Sequence, residues 1–288
     1  MSAFGLKILA CLIMLTDHTG AVFSASTPYW LRFIGRIAFP LFVYFVAEGC
    51  ARTRNIHRYL FRLGLFALIS EIPFDMALGG ASFGGVDFLR FTNVFYTLLL
   101  GVLAVCFYNG VAAFRRPPAA LLPLLLLIPL LLEPPWPLTL ALAALYAAVV
   151  YIMIRLAPEK EAGAEPAFPA LAARLCALAA ICPIIWLADL LDTDYGSFGV
   201  VFIVVLALAQ TRESKLVFLA LFIFLEYGAP LLSSAGLDPS RIVMLAAAML
   251  AVPLAALYNG RRGPSLKWSF YAFYPVHLAL LAALARIL

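Results

Sequence analysis

Apolar runs of about membrane-spanning length follow one another along nearly the whole chain, and charges fall mostly in the short gaps between them. A helix needs about 20 mainly apolar residues to cross a hydrocarbon core of about 30 Å. Reading the runs against charge and proline breaks gives eleven candidate helices, near residues 4–23, 33–50, 60–78, 93–113, 119–133, 137–157, 169–190, 197–211, 214–232, 241–258 and 268–287. The segments 119–133 and 197–211 are short, so one of them is expected to re-enter or to cross only in part. Composition argues against a soluble alternative. The chain is 65% hydrophobic and 12% charged, whereas soluble domains are roughly 45–50% apolar and about 25% charged. The expected fold is an all-α, polytopic transmembrane bundle of ten or eleven helices in the lipid bilayer.

Orientation follows from the loops. With a cytoplasmic N-terminus and alternating crossings, fifteen of the 20 Lys and Arg fall on the inner side, leaving Arg32, Arg36, Arg90, Arg241 and Arg286 outside. The opposite orientation inverts that ratio and breaks the positive-inside rule. The same placement accounts for the net charge of +5 without nucleic acid, since no basic stripe interleaved with aromatics is present. The most polar stretch, 158–168, reads as a cytoplasmic linker between possible halves 1–157 and 169–288 of one domain, and the glycine-rich outer loop 79–90 as a lid. Lys7 before an apolar run suggests a leader, but Asp17 and His18 interrupt that run, which argues against cleavage. The five cysteines sit in apolar segments without metal-ligand spacing, so they read as packing residues, with no metal expected.

Ionisable groups within such helices are expensive in lipid and therefore mark function first. Asp17 and His18 lie inside the first helix, and His18 shares a face with Lys7, about 16 Å away along the axis at 1.5 Å per residue. Histidine suits proton transfer near neutral pH. Asp17 is turned about 100° from its neighbour, so it either orients an imidazole or locks two helices by pairing with Arg36. Glu71 and Asp75 share a face of the third helix, Asn93 opens the fourth, Asp189, Asp192 and Asp194 crowd the outer end of the seventh, Glu226 lies in the ninth and His277 in the last. An outward polar cavity explains these groups; a solvated loop explains Asp189–Asp194 equally well. On the inner side, Arg52, Arg54, His57, Arg58 and Arg62 crowd one loop and Arg261, Arg262 and Lys267 another. Positive-inside bias alone produces such loops, and so does a phosphate-bearing donor such as coenzyme A. No P-loop, dinucleotide fingerprint, nucleophile elbow or zinc-protease motif is present.

Several strings in order, MLTDHTG (14–20), LRFIGRIAFPLFVYFVAEG (31–49), TRNIHRYLFRLGLFALISEIPF (53–74), NVFYTLLLG (93–101), DYGSFGV (194–200) and LYNGRRG…FYAFYPVHL (257–278), resemble the TraX family of bacterial membrane proteins. That family takes its name from a conjugal-transfer protein implicated in N-acetylating pilin, and it is similar in turn to the transmembrane acyltransferases. The resemblance implies transfer of an acetyl or other acyl group from cytoplasmic acetyl-CoA to a peptide, glycan or lipid acceptor at or across a bacterial inner membrane. It implies His18 as base, with Asp17 and His277 as further catalytic groups. Lys7 stands where related enzymes carry Arg eleven residues before the histidine, which keeps the charge and loses the fork. Donor binding is assigned to Lys7, Arg52, Arg54, Arg58, Arg62, Asn259, Arg261 and Arg262. The acceptor and oxyanion side is assigned to Arg36, Glu48, Glu71, Asn93, Tyr96, Asp189 and Tyr195. A proton-coupled transporter or lipid flippase uses the same buried groups as a relay, but the halves show no inverted repeat of broken helices. A non-catalytic scaffold has no use for so many intramembrane charges. No string encodes oligomeric state or acyl length.

Overall fold

A computed structural model describes residues 1–78, 91–112, 170–233, 238–264 and 266–287. The expected helices 119–133 and 137–157, the loop 79–90 and the linker 158–168 lie outside the described residues. The other nine expected helices are helical: α1 (Ala3–Val22), α2 (Trp30–Gly35) with α3 (Ala38–Arg52), α4 (Ile56–Leu78), α5 (Val94–Ala112), α6 (Ala170–Leu190), α7 (Gly196–Leu208), α8 (Arg212–Ile223), α10 (Pro239–Met249) with α11 (Ala251–Ala256), and α12 (Lys267–Leu284). A π-helical turn, Phe224–Gly228, carries α8 into the short α9 (Ala229–Ser233). Among the described residues there is no strand, only an isolated bridge of Thr92 with Thr193. The protein is an all-α membrane bundle, with four helices long and apolar enough to cross a bilayer among the described residues.

The second expected helix is broken, and proline explains where. Pro40 has no amide hydrogen, and its ring crowds the carbonyl four residues back, which belongs to Arg36. The chain turns there between α2 and α3. The short segment expected at 197–211 becomes α7, whose 13 residues span only about 20 Å at 1.5 Å per residue.

Residues 1–102 and 187–288 form one compact unit and 103–186 a second. The candidate site lies in the first. Within it α12 lies along α4, and α1 packs on α2, α3 and α12. The chain start is pinned to the loop before α12: the Ala3 and Phe4 amides donate to the carbonyls of Arg261 and Arg262 at 2.9 and 3.1 Å, and the Asn259 amide donates to the Met1 carbonyl at 3.0 Å. These bonds bring the 258–264 loop beside the first turn of α1, next to Lys7.

Candidate active site

Two histidines 259 residues apart meet inside this unit. His18 Nδ1 lies 2.7 Å from His277 Nε2, and the rings are parallel within 6° at a centroid separation of 5.0 Å. The Nδ1 of His277 is in turn 2.7 Å from the Phe273 carbonyl, one turn earlier on α12. A carbonyl only accepts, so His277 carries its proton on Nδ1 and leaves Nε2 as an acceptor. His18 must then donate from Nδ1, and the free lone pair falls on His18 Nε2. One backbone oxygen thus sets the tautomer of both rings. His277 is 4% exposed, whereas His18 is half-buried.

Asp17 does not serve His18. Its carboxylate accepts from Arg32 at 2.7 Å and from Arg36 at 2.9 and 3.0 Å, and Arg32 also reaches the Asp17 carbonyl at 3.1 Å. Consecutive helical residues point about 100° apart, so the carboxylate faces α2 while the imidazole faces α12. Gly35 allows this approach, since a Cβ there would overlap the Asp17 carboxylate. Arg36 also meets the Tyr227 side chain in the π-helical turn. Tyr195, in the left-handed conformation at φ 70°, stacks on Phe39 with ring centroids 3.4 Å apart.

A cavity of about 310 Å³ opens on the other side of α1. Lys7, Arg52, Arg62 and Arg262 line it together with one carboxylate, Glu48, and a set of aromatic rings. The cations lie against those rings: Lys7 Nζ is 5.6 Å from the Phe45 centroid and 5.9 Å from Phe270, and the Arg62 guanidinium is 5.9 and 5.8 Å from Tyr59 and Tyr271. Such contacts hold a cation in place without neutralising it. The lining runs as far as Met14, one turn before His18, and Tyr274. Tyr274 stands edge-on to both imidazoles, with centroids 5.8 Å from His18 and 5.7 Å from His277. The cavity therefore ends one side chain short of the histidine pair.

The remaining sequence assignments separate by location. Arg54, Arg58 and Arg261 are exposed and lie outside the cavity lining. Asn259 is exposed and shapes its own turn, its Oδ1 accepting from the Arg261 amide at 3.1 Å. Glu48, expected with the acceptor groups, stands in the cationic cavity because it lies near the C-terminal end of α3, one turn from Arg52. There it pairs with Lys215 at 2.5 Å and Arg52 at 2.9 Å. Asn93, expected to donate to an oxyanion, has both amide hydrogens engaged, one with the Ala67 carbonyl at 2.8 Å and one with Glu71. Its Oδ1 accepts from the Phe95 amide at 3.0 Å, so it joins α4 to the start of α5. Glu71 is 3% exposed and serves the same junction, with Tyr96 half-buried nearby on α5. Asp189 is exposed and accepts from the Ser197 amide at 2.6 Å, bracing the start of α7. Arg32 and Lys215 were not singled out from sequence. For Lys215 a signal existed, because a lysine in the opening turn of a helix opposes the macrodipole unless a carboxylate faces it.

An imidazole pair whose tautomers one carbonyl fixes thus stands beside a cation-lined cavity in an all-helical membrane bundle. The chain belongs to the TraX protein family, whose description matches residues 2–152 and 138–285. It is 28% identical to a probable fimbrial assembly protein FimC, serogroup H1, of Dichelobacter nodosus, over 98% of this chain and 95% of that protein. No solved structure matches it.

Proposed function

We propose that the chain is a multi-pass acyltransferase of the bacterial inner membrane, with a cytoplasmic N-terminus. It carries an acetyl group from acetyl-CoA to an amine or hydroxyl of a peptide at or beyond the outer face. The name of the Dichelobacter relative points to a fimbrial subunit as the kind of acceptor. The observation that carries the proposal is the succession along one side of α1: Lys7 and three arginines at the cavity lining, an aromatic passage, Tyr274, and then the histidine pair.

In this reading the cations bind the phosphates of coenzyme A, and the pantetheine arm lies along the aromatic cavity with its thioester toward Tyr274 and His18. The acceptor N–H or O–H gives its proton to His18 Nε2 as its nitrogen or oxygen attacks the acyl carbonyl carbon. The C–S bond then breaks, and the departing thiolate takes the proton back from His18. His277 keeps the His18 lone pair on Nε2 and, once that ring is protonated, accepts a charge-assisted hydrogen bond from its Nδ1. Two arginines share the single charge of Asp17, and the surplus positive charge beside His18 favours an oxyanion in a water-poor site.

The test is transfer of radiolabelled acetyl from acetyl-CoA to a peptide with a free N-terminus, using full-length protein in liposomes. His18→Ala is expected to lower transfer by about 10²–10⁴, the usual contribution of a positioned general base. Transfer that survives unchanged in this variant removes His18 from the mechanism.

A further inference from the structure

The cavity lining contains one carboxylate, and a carboxylate is the wrong group for an anion site. Glu48 lies near the C-terminal end of α3, and Lys215 lies in the opening turn of α8, which Thr211 and Ser214 cap reciprocally. Each charge stands at the end of its own helix that the macrodipole disfavours. Both placements are relieved by the same contact, Lys215 Nζ to Glu48 Oε1 at 2.5 Å. Lys215 is 8% exposed and is not itself part of the cavity lining, so it neutralises Glu48 from behind.

The other Glu48 oxygen accepts from Arg52 Nε at 2.9 Å, and an Arg52 Nη donates to the Gly260 carbonyl at 2.8 Å. Arg52 is thereby held by one nitrogen to each of two elements, with its second Nη left for a ligand. Without Lys215, Glu48 would carry a full charge in a poorly hydrated wall and draw Arg52 into a two-pronged ion pair, the geometry that arginine and carboxylate favour.

We infer that Lys215 is a positioning residue for the donor: by cancelling the charge of Glu48 it keeps Arg52 and the other cavity cations available to an anionic, phosphate-bearing ligand. The inference rests on the reading of the cavity as the acyl-CoA site. Its logic is electrostatic and therefore ordered. Removing Lys215 exposes a negative charge within several ångströms of the site, removing Glu48 leaves a spare cation, and removing both restores neutrality.

Titration calorimetry of coenzyme A into detergent-solubilised full-length protein tests that order. Lys215→Met is expected to weaken binding about tenfold or more, the scale of one unscreened charge at such a distance. Glu48→Gln is expected to bind at least as tightly as the wild type, and the double variant Glu48→Gln/Lys215→Met to return to within about threefold of it. A pair with a merely structural role predicts loss in both single variants and no recovery in the double, and that result overturns the inference. If Lys215→Met does not fold, Glu48→Gln and the double variant decide alone: weaker binding than wild type in Glu48→Gln, or binding more than about threefold weaker in the double variant, overturns it. Absence of coenzyme A binding by the wild type overturns the reading of the cavity itself, whereas binding by the wild type with the order unmet overturns only the role of Lys215.

Discussion

His277 is the group whose replacement most sharply separates chemistry from packing. His277→Phe keeps a planar ring against Phe273 and Tyr274 but removes the acceptor facing His18 Nδ1 at 2.7 Å. His18 then either leaves a buried N–H unpaired, at about 1–3 kcal/mol, or moves its proton to Nε2 and stops being a base there. The bond to the imidazolium formed during reaction, worth about 1.5–3 kcal/mol as a hydrogen bond to a charged group, is lost as well. At about 1.4 kcal/mol per factor of ten, the expected fall in kcat is roughly 10- to 100-fold, with little change in KM for acetyl-CoA because His277 does not line the cavity. His277→Gln places an amide oxygen near the Nε2 position and is expected to recover most of that loss. The assay is acceptor-dependent acetyl transfer in liposomes over a range of acetyl-CoA concentrations. Equal rates in wild type and His277→Phe, or a glutamine variant as slow as the phenylalanine one, refute the tautomer argument.

Two further outcomes follow from the Asp17 and Asp194 region of the unit. Gly35→Ala is expected to lower thermal stability in detergent, because the added methyl displaces the Asp17 carboxylate from two arginines; breaking a largely buried pair is destabilising by about 3–5 kcal/mol. An unchanged melting temperature contradicts the close approach. Asp194, in the loop between α6 and α7, has its carboxyl pushed up to about 7, chiefly by loss of water and against the opposing pull of Arg36. A carboxyl raised on folding favours the folded state at low pH and weakens it as pH climbs from about 4 through about 7. Asp194→Asn should therefore raise the melting temperature at pH 8 and have progressively less benefit toward pH 4, and a gain independent of pH counts against it.

The helices were legible because bilayer thickness imposes a length on every apolar run, and that constraint is local in sequence. The interruption of the second span, expected as one helix over 33–50, follows from Pro40 and the carbonyl it crowds. Lys7 and His18 could be placed on one face because a helical period relates them. What could not be read was any pairing that depends on how helices cross. Nothing in the sequence places His277 against His18, and Arg32 was passed over although it shares Asp17 with Arg36. Glu48, expected with the acceptor groups, is placed by its depth along α3 beside Arg52 and Lys215. Asn93 was misread for a different reason. A polar residue opening a helix inside a membrane has an immediate structural use, joining free backbone and side-chain groups of adjacent helices, and that use consumed every hydrogen its amide has to give.

The choice of a second histidine, instead of a carboxylate, to orient the first has a physical reason. A carboxylate facing His18 from the buried surface of α12 would be a permanent charge in a region of low dielectric, and it would need its own cation. The carboxylate that is present, Asp17, has two. A neutral imidazole anchored to a backbone carbonyl orients His18 equally well and brings no charge of its own. In the acyl-transfer reading, charge would arise on the pair only when the acceptor gives up its proton, and the departing thiolate would take that proton away. In that same reading, a histidine pair with no charge of its own, beside a cavity rich in cations, leaves the anionic donor to be held at one end while the pair stays neutral until the acceptor arrives.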